Sequence, residues 1–382
     1  MLSFASFQAL IPTFTAEWGL SNSEAGLISG VYFAGYVAAV PALVSLTDRM
    51  DPRRVVLGSL ALGAAASVGF AVFAEGFWSA LLFRTLHGIG LAGTYMPGLK
   101  ALSDRTEGPK QSRYVAFYTA SFGIGAALSY VMAGGIAPLL GWGWAFAATA
   151  LGAAASAAIV LAALPAGAPH ERAPQPQTHL LDFRPVLRNR PAMAYILGYC
   201  GHNWELFAFR SWAVAFLVYA ATADGGTTTG FGATGIAALA TLLGVPASIF
   251  GNELALRIGR RRTIAIVTVA SVLLAAVTGF AGGMSWPLAV GLCLVYGALL
   301  TGDSAALTAG TVAAAAAGQR GATLAMHAFI GFLGGVFGPA AMGFTLDLAG
   351  GQSMAGWGLA FLVCGAGSAF ALLAVMALGR RE

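Results

Sequence analysis

Apolar residues in this chain fall in long unbroken runs, and polar residues collect in the short breaks between them. Eleven runs lie at about 22–46, 55–74, 77–102, 113–139, 142–164, 192–220, 230–256, 263–283, 286–312, 320–347 and 355–378, with a shorter one at 2–16. Crossing a hydrocarbon layer of ~30 Å takes about 20 helical residues. Within lipid every backbone N–H and C=O must be paired inside the protein, so only helices and closed barrels cross it. Runs this long and evenly apolar exclude barrel strands. The pattern predicts an all-α polytopic membrane protein with about twelve transmembrane helices. As a helix, the run at 2–16 reaches only ~22 Å. Either the bilayer thins around it or the sequence starts downstream of the full-length start; the second is the favoured expectation.

The breaks alternate in charge. Basic residues cluster at Arg49, Arg53 and Arg54; at Arg105, Lys110 and Arg113; at Arg172, Arg184, Arg188 and Arg190; at Arg257 and Arg260 to Arg262; at Arg320; and at Arg380 and Arg381. The connections between these clusters hold Glu17, Glu24, Glu75, Asp224 and Asp347, without Lys or Arg. That alternation is the positive-inside signature, and it places the basic loops and both termini in the cytoplasm of a multi-pass plasma (inner) membrane protein. It also removes nucleic acid as the explanation of the formal charge of +5. With 58% hydrophobic and 9% charged residues, the chain cannot be a water-soluble globule, which carries roughly 25% charge. Gly is abundant, at 52 residues, as suits close helix packing in lipid. Cys200, Cys293 and Cys364 lie inside apolar runs with no disulfide or metal-ligand spacing, and no metal or cofactor is expected.

Residues 165–191 differ in kind. They hold Pro165, Pro169, Pro174, Pro176, Pro185 and Pro191 and read as a cytoplasmic linker, with a short surface helix suggested by Leu180, Leu181, Phe183, Val186 and Leu187. The linker divides the spans six and six, giving an N-terminal bundle at 1–164 and a C-terminal bundle at 192–382. The halves echo each other. Asp48-Arg49-Met50-Asp51-Pro52-Arg53-Arg54 follows the second span and Leu256-Arg257-Ile258-Gly259-Arg260-Arg261-Arg262 the eighth. Trp142-Gly143-Trp144 opens the sixth and Trp357-Gly358-Leu359 the twelfth; His87-Gly88 with Gly93 is matched by Tyr296-Gly297 with Gly302.

These strings resemble the major facilitator superfamily. Its D-R-x-G-R-R loop stands here as Asp48, Arg49, Asp51, Arg53 and Arg54, with Asp51 in the usual Gly place. The second copy keeps Arg257, Gly259, Arg260 and Arg261 but has Leu256 in place of the acid. A further mark, R-x-x-x-G-x-G, stands as Arg84, Gly88 and Gly90. The efflux-type G-P mark is absent from the fifth span; a similar run, Gly334-Gly335-Val336-Phe337-Gly338-Pro339, occupies the eleventh. The resemblance implies two six-helix bundles related by a pseudo-two-fold axis, and a conformational gate at the loops. A topology anchor is an equal reading for Arg53, Arg54 and Arg260 to Arg262, and a structural ion pair is the favoured reading for Asp48 with Arg49. Gly88, Gly90, Gly334, Gly335, Gly338 and Pro339 are expected to serve helix packing.

Ionisable residues at membrane depth cost ~2.5–3.5 kcal/mol each and mark a cavity or a partner. They are Arg84 and His87 in the fourth span, His202, Glu205 and Arg210 in the seventh, Asp303 in the tenth and His327 in the eleventh. Arg84 and Arg210 are permanent cations that can hold an anion; Glu205 and Asp303 can carry protons, or be paired permanently with one of those arginines. The histidines are more often packing residues, and His202 stands out because Glu205 is beside it. Substrate and proton-pathway candidates are therefore Arg84, His87, His202, Glu205, Arg210 and Asp303. The expected function is secondary active transport of a small organic solute, anionic or zwitterionic, by proton symport and alternating access. Drug/proton antiport is the alternative; a receptor or an intramembrane enzyme ranks below it, since Asp303 follows Leu300-Thr301-Gly302 rather than a full G-x-G-D string. The expected partners are the substrate and the lipid bilayer, the proton gradient drives the cycle, and the protein is a monomer.

Overall fold

The computed structural model describes residues 1–382 except 48–49, 104–105, 107–108, 165–182, 227–229 and 380–382, and the side chains of 103, 109–113, 115–116, 119–120 and 230–231. The Asp48–Arg49 pair, the bulk of the linker and the terminal arginines thus lie outside the described residues. The helices run α1 (Ser6–Ala9), α2 (Ile11–Trp18), α3 (Asn22–Leu46), α4 (Pro52–Phe73), α5 (Phe77–Ser103), α6 (Pro109–Leu140), α7 (Trp142–Ala163), α8 (Arg184–Arg188), α9 (Arg190–Ala223), α10 (Gly230–Ile258), α11 (Arg260–Ala281), α12 (Trp286–Leu299), α13 (Ser304–Ala314), α14 (Arg320–Leu348) and α15 (Met354–Leu378). Among the described residues, ten spans are long and apolar enough to cross a membrane, α12 and α13 counting as one. Outside those ten stand α5, whose hydropathy Arg84 and His87 lower, and the broken pair α1–α2, in the places of the fourth and first predicted spans.

Local signals fix where helices begin. Ser21 and Glu24 form a reciprocal capping box on α3, satisfying two otherwise free backbone N–H groups. The Asp51 carboxylate accepts from the Arg53 backbone N–H at 2.9 Å, and Pro52 pre-sets the first turn of α4. So the residue in the motif's usual Gly place is a helix cap here. The second copy does keep its glycine: Gly259 sits at φ +92° before α11, a backbone conformation that side chains disfavour.

Besides the first run, a second predicted span is not a single helix. The run 286–312 breaks between α12 and α13 at residues 300–303. There Thr301 Oγ1 donates to the Gly244 carbonyl of α10 at 2.8 Å, and the Gly302 backbone lies against Gly251 with no room for a Cβ. The break lets two backbones meet where continuous helices would hold them apart.

Helices α3, α4, α5 and α7 pack mainly on one another, as do α9, α11, α14 and α15. The two bundles meet along α3 with α14 and α6 with α10. Gly26 and Gly30 of α3 press onto the Pro339 and Val336 backbone of α14. On α3 burial runs from Ala25 to Val37 and then gives way to exposed and half-buried residues through Leu46. The bundles are therefore closed at the end with acidic loops and parted at the end with basic ones. At the closed end the Asp347 carboxylate of α14 accepts from Asn22 N and Nδ2 at 3.2 and 2.8 Å and from Ser23 N and Oγ at 2.7 and 2.5 Å.

Two of the motif arginines make contacts within their own bundles. Arg53 of α4 donates to the Leu161 carbonyl near the end of α7 at 3.0 Å, and Arg261 of α11 donates to the Met376 carbonyl near the end of α15 at 2.8 Å. Each cation meets the electronegative terminus of the last helix in its half. The same contact, repeated in both halves, carries the pseudo-symmetry suggested by the sequence echo.

Candidate functional site

The fourth-span arginine differs from the sequence expectation of an anion-holding group. Arg84 is fully buried inside the first bundle and faces no carboxylate among the described residues. Its Nη1 donates to the Ser3 carbonyl at 2.9 Å, its Nη2 to the Phe4 carbonyl at 3.0 Å and to Gln8 Oε1 at 3.3 Å, and its guanidinium lies 4.5 Å from the Tyr32 ring centre. These contacts hold the broken stretch that leads into α1. One turn on, His87 Nε2 lies 2.9 Å from Ser67 Oγ, to which Thr149 also donates, at the wall of a cavity of about 360 Å³ within this bundle.

In the second bundle, α9 separates its polar groups onto two faces. His202 and Glu205 look into the bundle. Glu205 is 1% exposed and accepts from Tyr296 at 2.7 Å, Ser271 at 3.0 Å and Ser368. His202 Nδ1 lies 2.8 Å from Asp303 Oδ1, though that oxygen has no aligned hydrogen bond. Among the described residues neither carboxylate pairs with an arginine. Tyr199 stacks on His327 at 4.1 Å and near His202 at 5.6 Å, and His327 Nδ1 contacts Thr311 Oγ1 at 3.0 Å.

Tyr199, Asn203, Phe207 and Arg210 occupy the other face; at about 100° per residue, Tyr199 and Arg210 fall within about 20° of each other. This face meets the first bundle: Phe207 packs on Phe33 at 4.0 Å, and Tyr130 of α6 donates its hydroxyl to the Arg210 carbonyl. Arg210 is 8% exposed, and its guanidinium makes no hydrogen bond or ion pair among the described residues. Its electrostatic neighbours are the Tyr130 and Tyr199 hydroxyls.

Two further groups on this surface escaped the sequence reading. Among the described residues, Tyr36 Oη of α3 is buried without a hydrogen-bond partner, and Asn203 Nδ2 is buried beside Tyr199 without an aligned hydrogen bond. An amide in mid-span is the one sequence signal that pointed to Asn203; a tyrosine in an apolar run gives none. The glycine run of α14 lies behind them: Gly334 and Gly338 touch the Cys200 and Trp204 backbone of α9, and Gly335 touches the Phe33 and Phe207 rings. Pro339 accepts from Trp212 Nε1 at 2.9 Å. In the first bundle Gly88 meets the α3 backbone at Tyr32 and Tyr36, and Gly90 meets α4 at Ser59 and Gly63.

The sequence matches the family model for the Major Facilitator Superfamily over residues 1–309. It is 29% identical over 130 residues to a probable sphingolipid transporter, spinster homolog 1 of Arabidopsis thaliana, covering 34% of this chain and 26% of that protein. It is 26% identical over 218 residues to protein spinster homolog 1 of Homo sapiens, covering 55% and 41%. A probable 4-methylmuconolactone transporter of Cupriavidus pinatubonensis is 27% identical over 133 residues, covering 33% and 29%. The matched stretches thus span between 26% and 41% of these relatives' lengths. Among solved structures, a bacterial homologue of the human lysosomal transporter Spinster, inward-facing and occupied, superposes with a TM-score of 0.76 at 14% identity, covering 98% of this chain and 92% of that one. The nucleoside transporter NupG superposes at 0.77 and 13%, covering 100% and 98%. At such identities the likeness is one of fold.

Proposed function

The chain belongs to the Major Facilitator Superfamily, and we propose that this membrane transporter is a proton-coupled symporter of a small organic anion. One observation carries the reading. Of the two arginines at membrane depth, Arg84 is occupied by carbonyls of its own bundle, whereas Arg210 lies between the bundles without a counter-charge. An anion bound there is buried when the bundles close and released when they part. Asp303 beside His202, and Glu205 among its three hydroxyls, supply groups that can take up a proton within the same bundle. One proton entering with one anion leaves the carrier's net charge unchanged.

The basic loops and both termini face the cytoplasm in this reading, so the parted end of the structure opens inward. Proteoliposomes loaded with a pH-sensitive dye test the proposal: labelled benzoate, hexanoate and hexyl phosphate are offered under an inward proton gradient. Accumulation of one of them with proton entry is the expected result. Failure of all three to move would sink it, and extrusion driven by the gradient would favour the antiport alternative. A second reading, an amphiphilic lipid as substrate, draws on the sphingolipid description of a relative and on an apolar groove of about 550 Å³ lined by Leu243, Phe250, Leu254, Val295 and Leu299. Hexyl phosphate reports on it.

A further inference from the structure

We propose that the groove between α10 and α12 seats one acyl chain of an anionic phospholipid whose headgroup phosphate rests on Arg257 and Arg260. The lipid is a resident of the protein and not its cargo, and the inference stands apart from the symport reading. The groove, of about 550 Å³, has a floor of small residues: Ala247 and Gly251 on α10, Ala298 and Gly302 on α12 and the break that follows it. The Gly302 carbonyl lies against Gly251 and draws the two backbones together there. Phe250 of α10 and Val295 of α12 form the rims and are 72% and 55% exposed. The groove faces lipid. Val245, which approaches Gly123 of α6 in the other bundle, points about 140–200° away from Leu243, Ala247, Phe250 and Leu254 at 100° per residue. On α12 the stripe of Ala298 and Val295 continues through Gly291 and Leu288, both exposed, toward Trp286, whose backbone N–H bonds Asp224 at the acidic end. The bundles are in contact at that end, so an exposed apolar stripe there meets the bilayer.

Length and charge choose the occupant. From Leu243 to Leu254 the groove follows α10 for about 16 Å, the depth of one leaflet of a ~30 Å hydrocarbon core. It ends at the basic loop. Arg257 follows Phe250 by seven residues and lies within about 20° of it on α10. Arg260 precedes Val267, the lining residue from α11, by seven and lies within about 20° of it. Three residues separate the two arginines, at most about 10 Å of backbone, so one phosphate can reach both. Arg257 is exposed and Arg260 half-buried. With the exposed Arg262 they outnumber Glu253, the acid one turn before Arg257, so the mouth is net positive. A guanidinium binds phosphate through parallel N–H bonds, and basic clusters at helix ends attract anionic headgroups. A free phosphate would meet the arginines and leave the groove empty. A phosphatidylcholine would fill the groove but bring another cation to the mouth. An anionic phospholipid suits both ends, and its chain restores the dispersion contacts that an empty crevice loses.

The test uses the full chain in phosphatidylcholine nanodiscs doped with a phosphatidylglycerol that carries a photoreactive diazirine midway along one acyl chain. Crosslinked peptides are mapped by mass spectrometry. Crosslinks are expected to concentrate on residues 243–254 and 294–302, several-fold above the similarly exposed face of α7 at Leu151 and Ile159. Unlabelled phosphatidylglycerol should compete about tenfold better than phosphatidylcholine. Arg257→Gln and Arg260→Gln should each lower that preference about threefold, with solvent screening allowed for. Ala298→Phe fills the floor and removes the groove crosslinks while those on α7 persist; Ala298→Leu, milder on the fold, reduces them. Crosslinks spread evenly over the groove and α7 overturn the site and leave an ordinary lipid annulus. Equal competition by the two lipids, or a preference untouched by both arginine variants, overturns the headgroup assignment. Transfer of the labelled lipid between leaflets that depends on this chain overturns residence and makes the groove a substrate path.

Discussion

Asp347 couples the bundles through a cap placed in trans. Its carboxylate accepts four hydrogen bonds from Asn22 and Ser23, two of them from backbone N–H groups in the first turn of α3. A side-chain cap at a helix N-terminus contributes about 0.5–2 kcal/mol, and a negative charge there adds about 0.3–1 kcal/mol. Asp347 is exposed to solvent, which puts both contributions in the lower part of their ranges, so about 1–1.5 kcal/mol is expected. Because these bonds cross between bundles and exist only while that end is closed, their loss acts on the closed state alone. Asp347→Ala should therefore shift the closed-to-open ratio about 5–13-fold toward opening at this end. Spin labels at Leu139 and Met284, exposed at that end on opposite bundles, would report it as a longer distance in double electron–electron resonance. The control is Glu24→Ala, which removes a cap of the same helix made within the same bundle. It should lower stability without shifting the distance. An unchanged distribution in Asp347→Ala, or an equal shift in Glu24→Ala, would refute the trans-cap reasoning.

Other perturbations separate structural cations from the functional one. Arg84→Lys loses the fork that bridges the Ser3 and Phe4 carbonyls and should lower the heat-unfolding midpoint by the equivalent of about 2 kcal/mol, with anion affinity unchanged in calorimetry. Arg53→Ala and Arg261→Ala should each cost about 1–2 kcal/mol, and their effects should add, since the contacts lie in different bundles; the double variant's midpoint checks this. Gly334→Ala places a methyl group on the Cys200 and Trp204 backbone and should cost about 1–3 kcal/mol, whereas Gly291→Ala, which meets nothing, should be neutral in the same melt.

The number of crossings and the all-α class were legible because lipid enforces them: a backbone that cannot bond to water must close its own hydrogen bonds over about 20 residues. The charge alternation and the loop echo gave the two halves for a similar reason, since each bundle must anchor its own helix ends, as Arg53 and Arg261 do. The direction of side chains was another matter. In α9 both faces are apolar overall, so periodicity holds no sign of which one meets the other bundle. Sequence placed His202, Glu205 and Arg210 on one helix; only packing sent the first two inward and the third to the opposite bundle. The same limit hid Tyr36 and Asn203, whose partners come from distant segments, and the split of α12 from α13, which follows from the approach of Gly302 to Gly251. Arg84 shows the converse: its depth was plain from the sequence, but what it binds was decided by carbonyls about 80 residues away, brought there by the fold. Sequence alone fixed what the solvent demands of each segment; the tertiary structure decided which neighbour each side chain meets, because that choice depends on helices far apart in the chain.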